Sequence, residues 1–149
     1  MMDGKCDRPM QILMADDNQG DVRLAIEALR DSKVKNNIFV VHDGLEAMNY
    51  LRKLEQYESA VRPDILLLDL NMPKKGGLEV LQEIKSDPEL KSIPVVILTV
   101  SQAEEDIEKA YKLHANCYIS KPVDLHQFND IVESLENFWF TIVQLPPKE

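Results

Sequence analysis

Asp16 and Asp17 follow directly on the aliphatic run Ile12-Leu-Met-Ala15. Asp69 closes Ile65-Leu-Leu-Leu68, just before the chain breaks into Asn71-Met-Pro-Lys-Lys-Gly-Gly77. An acid at the end of so apolar a run serves either as the cap of the next helix or as a reactive group in a crevice. The other polar residues placed after aliphatic runs are His42 and Asp43, Thr99 and Ser101, and Ser120 and Lys121. If 12–15 and 65–68 are neighbouring strands, the three carboxylates meet. Two unit charges about 4 Å apart then repel by on the order of 4 kcal/mol at an effective dielectric constant near 20, so a cation is required. Oxygen ligands, few carboxylates and room for water favour Mg²⁺ over a caged Ca²⁺, and Lys121 can supply the remaining positive charge. A carboxylate beside such an ion, a lysine and a hydroxyl is equipped to receive a phosphoryl group. Asp69 can attack in line, Lys121 can neutralise the equatorial oxygens, and Thr99 can donate a hydrogen bond to one of them. The acyl phosphate formed is hydrolytically labile and suits a reversible mark.

These residues need a scaffold that brings strand ends together. Four strand-length aliphatic runs, 12–15, 38–41, 65–68 and 95–98, recur along the chain, and a weaker one covers 117–119. Between them, apolar residues fall three and four apart: Val22, Ile26 and Leu29; Ala47, Tyr50, Leu51 and Leu54; Leu78, Leu81 and Ile84; Ile107, Ala110, Tyr111 and Leu113. That spacing predicts helices with one buried face. Five alternations of strand and helix call for an α/β fold, a doubly wound (βα)5 flavodoxin-like domain with a parallel sheet. In strand order 2-1-3-4-5 the first and third strands are neighbours, and ligands in such sheets bind outside the carboxyl ends of the strands. Asp43-Gly44 is a turn signal before the second helix, Asp87-Pro88 and Ile93-Pro94 bracket the approach to the fourth strand, and Ser101 and Asp124 read as helix N-caps.

Composition narrows the functions. A chain of 149 residues with 44% hydrophobic residues builds one domain with a sizeable core. Seventeen basic against 26 acidic residues, a net charge of −9, and no basic stripe argue against unaided binding to DNA, RNA or an anionic membrane. No run of roughly 18 apolar residues and no signal pattern at residues 1–10 direct the chain to a membrane, so a cytoplasmic location is the expectation. Cys6 and Cys117 form neither a disulfide framework nor a zinc spacing and read as reduced thiols. His42, His114 and His126 are scattered over different elements and share no metal site.

The segments Ile12-Leu-Met-Ala-Asp-Asp-Asn18, Leu67-Leu-Asp-Leu-Asn-Met-Pro73 with Gly77, Ile97-Leu-Thr99 and Tyr118-Ile-Ser-Lys-Pro122 resemble, in order and placement, the receiver domain of two-component response regulators. Each piece is weak alone; four in the right order are specific. The resemblance implies that Asp69 is phosphorylated by a phosphohistidine on a sensor histidine kinase. It implies Mg²⁺ held by Asp16, Asp17, Asp69 and the backbone carbonyl of Asn71. Thr99 and Tyr118 would form a switch pair, Lys121 would pair with the phosphoryl group, and the bond before Pro122 would be cis. Gly76 departs from the acidic residue often found there, which loosens the loop without removing a metal ligand. Asp17-Asn-Gln-Gly-Asp-Val-Arg-Leu24, Asn71-Met-Pro-Lys-Lys75 and Phe138-Trp-Phe-Thr-Ile-Val-Gln-Leu-Pro-Pro147 look like the small stand-alone regulators that accompany phytochrome-type sensor kinases. Such a protein is a phosphoacceptor that signals by protein contact, not an enzyme acting on other substrates.

The resemblance divides the chain into a leader at 1–9, a receiver at 10–137 and an extension at 138–149. Leu125, Phe128, Ile131, Val132, Leu135, Phe138, Trp139 and Ile142 keep helical spacing to about residue 143, where Leu145-Pro-Pro147 stops the helix. Phe138, Trp139, Phe140 and Val143 carry more apolar surface than one stripe hides; burial within the monomer is one outcome, and self-association through a homodimer interface is the one predicted. Three rival functions remain. A haloacid dehalogenase-type aspartyl-phosphate hydrolase needs a second Asp where Asn71 stands and its nucleophile at the first strand. A flavodoxin-like phosphate binder is disfavoured because Asp16-Asp-Asn-Gln-Gly20 repels phosphate. An unphosphorylated receiver-shaped scaffold would share every element named.

Overall fold

The aliphatic runs form five parallel strands, and the segments of three-and-four spacing form the helices between them. The computed structural model describes residues 9–99, 103–115, 117–120 and 125–144, with 120, 125 and 140–144 described by backbone only. In chain order these are β1 (Met10–Ala15), α1 (Gln19–Arg30), β2 (Asn36–Val41), α2 (Gly44–Leu51), a 3-10 turn (Glu55–Tyr57), β3 (Ile65–Leu68), α3 (Gly77–Ser86), β4 (Val95–Thr99), α4 (Glu104–Lys112), β5 (Cys117–Ser120) and α5 (Leu125–Gln144). The sheet order is β2-β1-β3-β4-β5, the doubly wound arrangement the sequence predicts. Ala15 pairs with Val41 on one side and Leu68 on the other. Asp16 and Asp69 therefore leave the sheet side by side.

Strands β1, β3 and β4 are covered on both faces, which is why they are apolar without alternation, whereas the edge strand β2 alternates and leaves Phe39 exposed. Leu13, Ala15, Leu66, Leu68, Val95 and Ile97 face α2, α3 and α4. Met10, Ile12, Met14, Ile65, Leu67, Val96 and Leu98 face α1 and α5. Helix starts follow local chemistry. Asn18 caps α1 by accepting from the Asp21 N–H at 3.0 Å, and Asp43 caps α2 by accepting from the Glu46 N–H at 2.7 Å. The α4 helix has Ala103, not Ser101, in its cap position. Ser101 and Asp124, like Cys6, lie outside the described residues.

Three expected positions of apolar residues need correction. Leu54 is 48% exposed because α2 has ended and Lys53 has turned to φ 58, which swings the chain away from the helix stripe. Tyr111 is 50% exposed because α4 buries only Ala110, too narrow a stripe to hide an aromatic ring beside it. Trp139, assigned from sequence to a homodimer interface, is only 1% exposed and packs with Phe128, Val132 and Leu135 in the core under α1. A Trp buries roughly 150–250 Å², several kcal/mol of apolar transfer at about 25 cal/mol per Å². The bare sheet beside α1 offers that burial within the monomer. Glu136 on the same helix is buried too. Its Oε2 accepts from the Ser32 hydroxyl and the Lys33 N–H, both at 2.6 Å, and so ties α5 to the turn after α1.

Candidate functional site

The crevice lies at the carboxyl ends of β1, β3 and β4. Asp16 and Asp69 are 1% and 5% exposed, while Asp17 is exposed. The three carboxylates each offer an oxygen within 4.8 Å of the others. Parallel pairing continues one residue past the strands: the Asp16 N–H donates to the Val41 carbonyl at 3.0 Å and the Asp69 N–H to the Ala15 carbonyl at 2.9 Å. The backbone thus fixes both acids before their side chains make any contact. Each carboxylate also closes its own turn, Asp16 accepting from the Asn18 N–H at 2.9 Å and Asp69 from the Asn71 N–H at 3.2 Å.

Thr99, fully buried at the end of β4, accepts a hydrogen bond from the Asn71 side-chain amide at 3.1 Å. From sequence Asn71 has only a backbone role, and nothing local signals this contact, which joins residues 28 apart. Tyr118 pairs with Ile97 and Ser120 with Thr99, so Tyr118 stands one pleat below Thr99 on the same face, half-buried against the α2–α4 core. His42, discounted from sequence as a ligand, brings Nδ1 within 3.3 Å of the Asp16 carbonyl oxygen, a contact that supports the turn and not the carboxylates. Lys121 and Pro122 lie outside the described residues.

The donor set suits a hard divalent cation. Among the described residues, three carboxylates and no histidine or cysteine make up the cluster, and Asp17 keeps an open approach for water. Repulsion among three acids so close is the electrostatic demand that such an ion would relieve.

The loop between β3 and α3 completes the site. Gly77 lets it fold back on the acid: a Cβ at that position would stand 2.3 Å from the Asp69 carbonyl oxygen, and the Gly77 N–H donates to the Leu70 carbonyl at 3.0 Å. At Gly76 the backbone N–H donates to Glu79 Oε1 at 3.2 Å, so the residue that departs from the usual acid starts α3 well.

This fold, with acids at the ends of β1 and β3 and a buried hydroxyl at the end of β4, defines a class. A family model described as the response regulator receiver domain matches residues 12–133; the chain belongs to that family. Response regulator Rcp1 from Synechocystis sp. is 43% identical over 145 residues, 97% of this chain and 99% of its own. Among solved structures, the phosphorylated cyanobacterial phytochrome response regulator RcpA is 51% identical with a TM-score of 0.84, covering 94% of this chain and 100% of that one. The Mn²⁺-bound form of Rcp1 is 45% identical with a TM-score of 0.82 over 93% and 100% of the two chains. The likeness to small phytochrome regulators therefore runs almost the full length, and this chain is a single-domain receiver of the kind these relatives represent.

Of the residues assigned to self-association, Phe138 is half-buried, Trp139 belongs to the core, and the side chains of Phe140 and Val143 lie outside the description. Phe138 borders an apolar groove of about 330 Å³ beside β5, which Cys117, Ile119, Ile131 and Leu135 also line. Among the described residues, no helix is long and apolar enough to cross a membrane.

Proposed function

We propose that the protein is a stand-alone response regulator that accepts a phosphoryl group on Asp69 from a phosphohistidine of a phytochrome-type sensor histidine kinase. An Asp69 carboxylate oxygen attacks phosphorus and the P–N bond breaks with its electron pair staying on nitrogen, so that the imidazole, protonated on its other ring nitrogen, leaves neutral and an acyl phosphate remains on Asp69. Asp16, Asp17, Asp69 and the Asn71 carbonyl would hold Mg²⁺, which when bound supplies positive charge to the phosphoryl oxygens. Lys121 supplies the second positive charge. Thr99 exchanges the Asn71 amide for a phosphoryl oxygen, and Tyr118 turns into the space the hydroxyl leaves. The observation that carries this reading is the convergence of three carboxylates within 4.8 Å at the ends of β1 and β3. The Mn²⁺ in the Rcp1 relative and the phosphorylated state of RcpA support it.

The protein acts on its partners by contact in the cytoplasm and catalyses no more than its own phosphorylation and dephosphorylation. It binds neither nucleic acid nor membrane. It forms a homodimer, with Phe138 and the groove along β5 as the contact in place of Trp139, on the strength of the apolar lining there. Intact-protein mass after incubation with Mg²⁺ and acetyl phosphate tests the acceptor. A gain of about 80 Da in wild type, absent in Asp69→Asn and absent after chelation, is the expected result. Equal gain in Asp69→Asn overturns the assignment. No gain from acetyl phosphate or from a candidate kinase favours the receiver-shaped scaffold.

A further inference from the structure

The loop 71–75 brings Asn71 to the crevice, and its far end rests on an element that the proposed chemistry does not use, the turn from β2 into α2. Gly44, buried at the first position of α2, has its α-carbon against the backbone of Lys75. A Cβ there would lie 2.1 Å from the Lys75 carbonyl oxygen and 2.8 Å from both its carbonyl carbon and its Cβ. The obstacle is main chain, so no rotamer change relieves it. Side chains fasten the same contact. Asp43 spends one carboxylate oxygen on the α2 cap, and the other lies 3.6 Å from Lys74 Nζ. Lys75 pairs with Glu83 of α3, and the second Glu83 oxygen is 3.2 Å from Arg52 at the end of α2. Lys74 holds φ at 68, a left-handed conformation unfavourable for a lysine, so the loop keeps its shape only while its neighbours impose it.

We propose that the β2–α2 turn is the positioning element of the cation site: Gly44 and the Lys75–Glu83–Arg52 chain set the loop that carries Asn71, and neither touches the cation. The inference rests on the reading of Asp16, Asp17, Asp69 and Asn71 as a divalent-cation site. It is specific because the loop is held at both ends. Its root is fixed by the Asn71 N–H on Asp69 and the Gly77 N–H on Leu70, and its tip by α2. Displacing the tip rotates the short segment between them, which begins with the Asn71 carbonyl, the group assigned to the cation.

The test is Mn²⁺ titration of the full chain, reading free Mn²⁺ by electron paramagnetic resonance, with thermal melting in parallel. Gly44→Ala is expected to weaken Mn²⁺ binding about tenfold or more, the size of effect seen when supporting groups of metal ligands are removed. Val34→Ala, a core truncation on the opposite face, is the control: it lowers the melting temperature and leaves Mn²⁺ affinity unchanged. Lys75→Met separates positioning from charge. Removing a positive charge near a cation site tightens binding by Coulomb's law alone, whereas loss of the tie weakens it. Weaker binding in Lys75→Met supports the proposal, and equal or tighter binding overturns it even if Gly44→Ala does not fold. Folded Gly44→Ala with wild-type affinity overturns it as well. Failure of wild type to bind Mn²⁺ would instead remove the cation reading itself, visible before any variant is made.

Discussion

The two faces of the sheet are closed by different means. On the α1–α5 face large side chains do the work: Trp139, Phe128, Val132 and Leu135 fill the space over Met10, Ile12 and Met14, with a polar tie at Glu136. On the α2–α4 face, next to the acids, main chain lies against main chain at Gly44 and Gly77, and charged residues brace the loop. Side-chain packing tolerates partial collapse, so changes there should alter stability by degrees. Backbone contact does not yield in that way, so changes beside the site should alter geometry first.

Trp139→Ala should break the comparison most severely if the α5 side is less important to stability than its burial says. Loss of so large a buried ring is expected to cost about 3–5 kcal/mol in chemical denaturation, with the folded fraction still labelled on Asp69. Asp16→Asn should do the reverse. Mn²⁺ affinity falls more than about tenfold, some 1.4 kcal/mol, while the metal-free melting temperature stays level or rises because a repelling charge has gone. Glu136→Ala leaves the Lys33 N–H and the Ser32 hydroxyl without their acceptor and should cost about 1–3 kcal/mol with metal affinity intact.

The smallest effect is alkaline. Burial raises the pKa of the Tyr50 hydroxyl above its ordinary 10.0, and burial followed by the charge of Glu46 does the same at Tyr57. The folded state then holds these protons more tightly than the unfolded chain. Their contribution is fully present below pH 10 and is lost as pH rises through the folded values. Tyr50→Phe should flatten the decline in melting temperature above pH 10. An unchanged slope would assign the decline to other groups.

The strands and the acid crevice were legible because both depend on local runs: an aliphatic stretch of four to six residues announces a covered strand, and the polar residue after it falls at the strand's end. Asp43 reads from sequence only as part of a turn, although it and Asn18, each followed three residues later by an acid, stand as the caps of α2 and α1. Trp139 was not legible, since helical spacing gives the direction of a stripe but not how much bare sheet awaits it. Leu54 kept helical spacing although its helix had already ended, and nothing local marked the stop. The contacts of Asn71 with Thr99 and of Gly44 with Lys75 join segments about thirty residues apart and exist only once the sheet order has brought the loops together.

The burial of Trp139 also bears on where this chain can be joined to another. The expected boundary at residue 137 falls two residues before the indole and within α5, which runs unbroken from Leu125 to Gln144. A chimera spliced there would leave a socket in the receiver that the grafted sequence would have to fill. A junction placed after the helix would keep the socket filled and leave only the last turn and a half of α5, about 7.5 Å of helix, between the indole and the graft. So short and well-rooted a stub would make the orientation of the graft follow that of the indole.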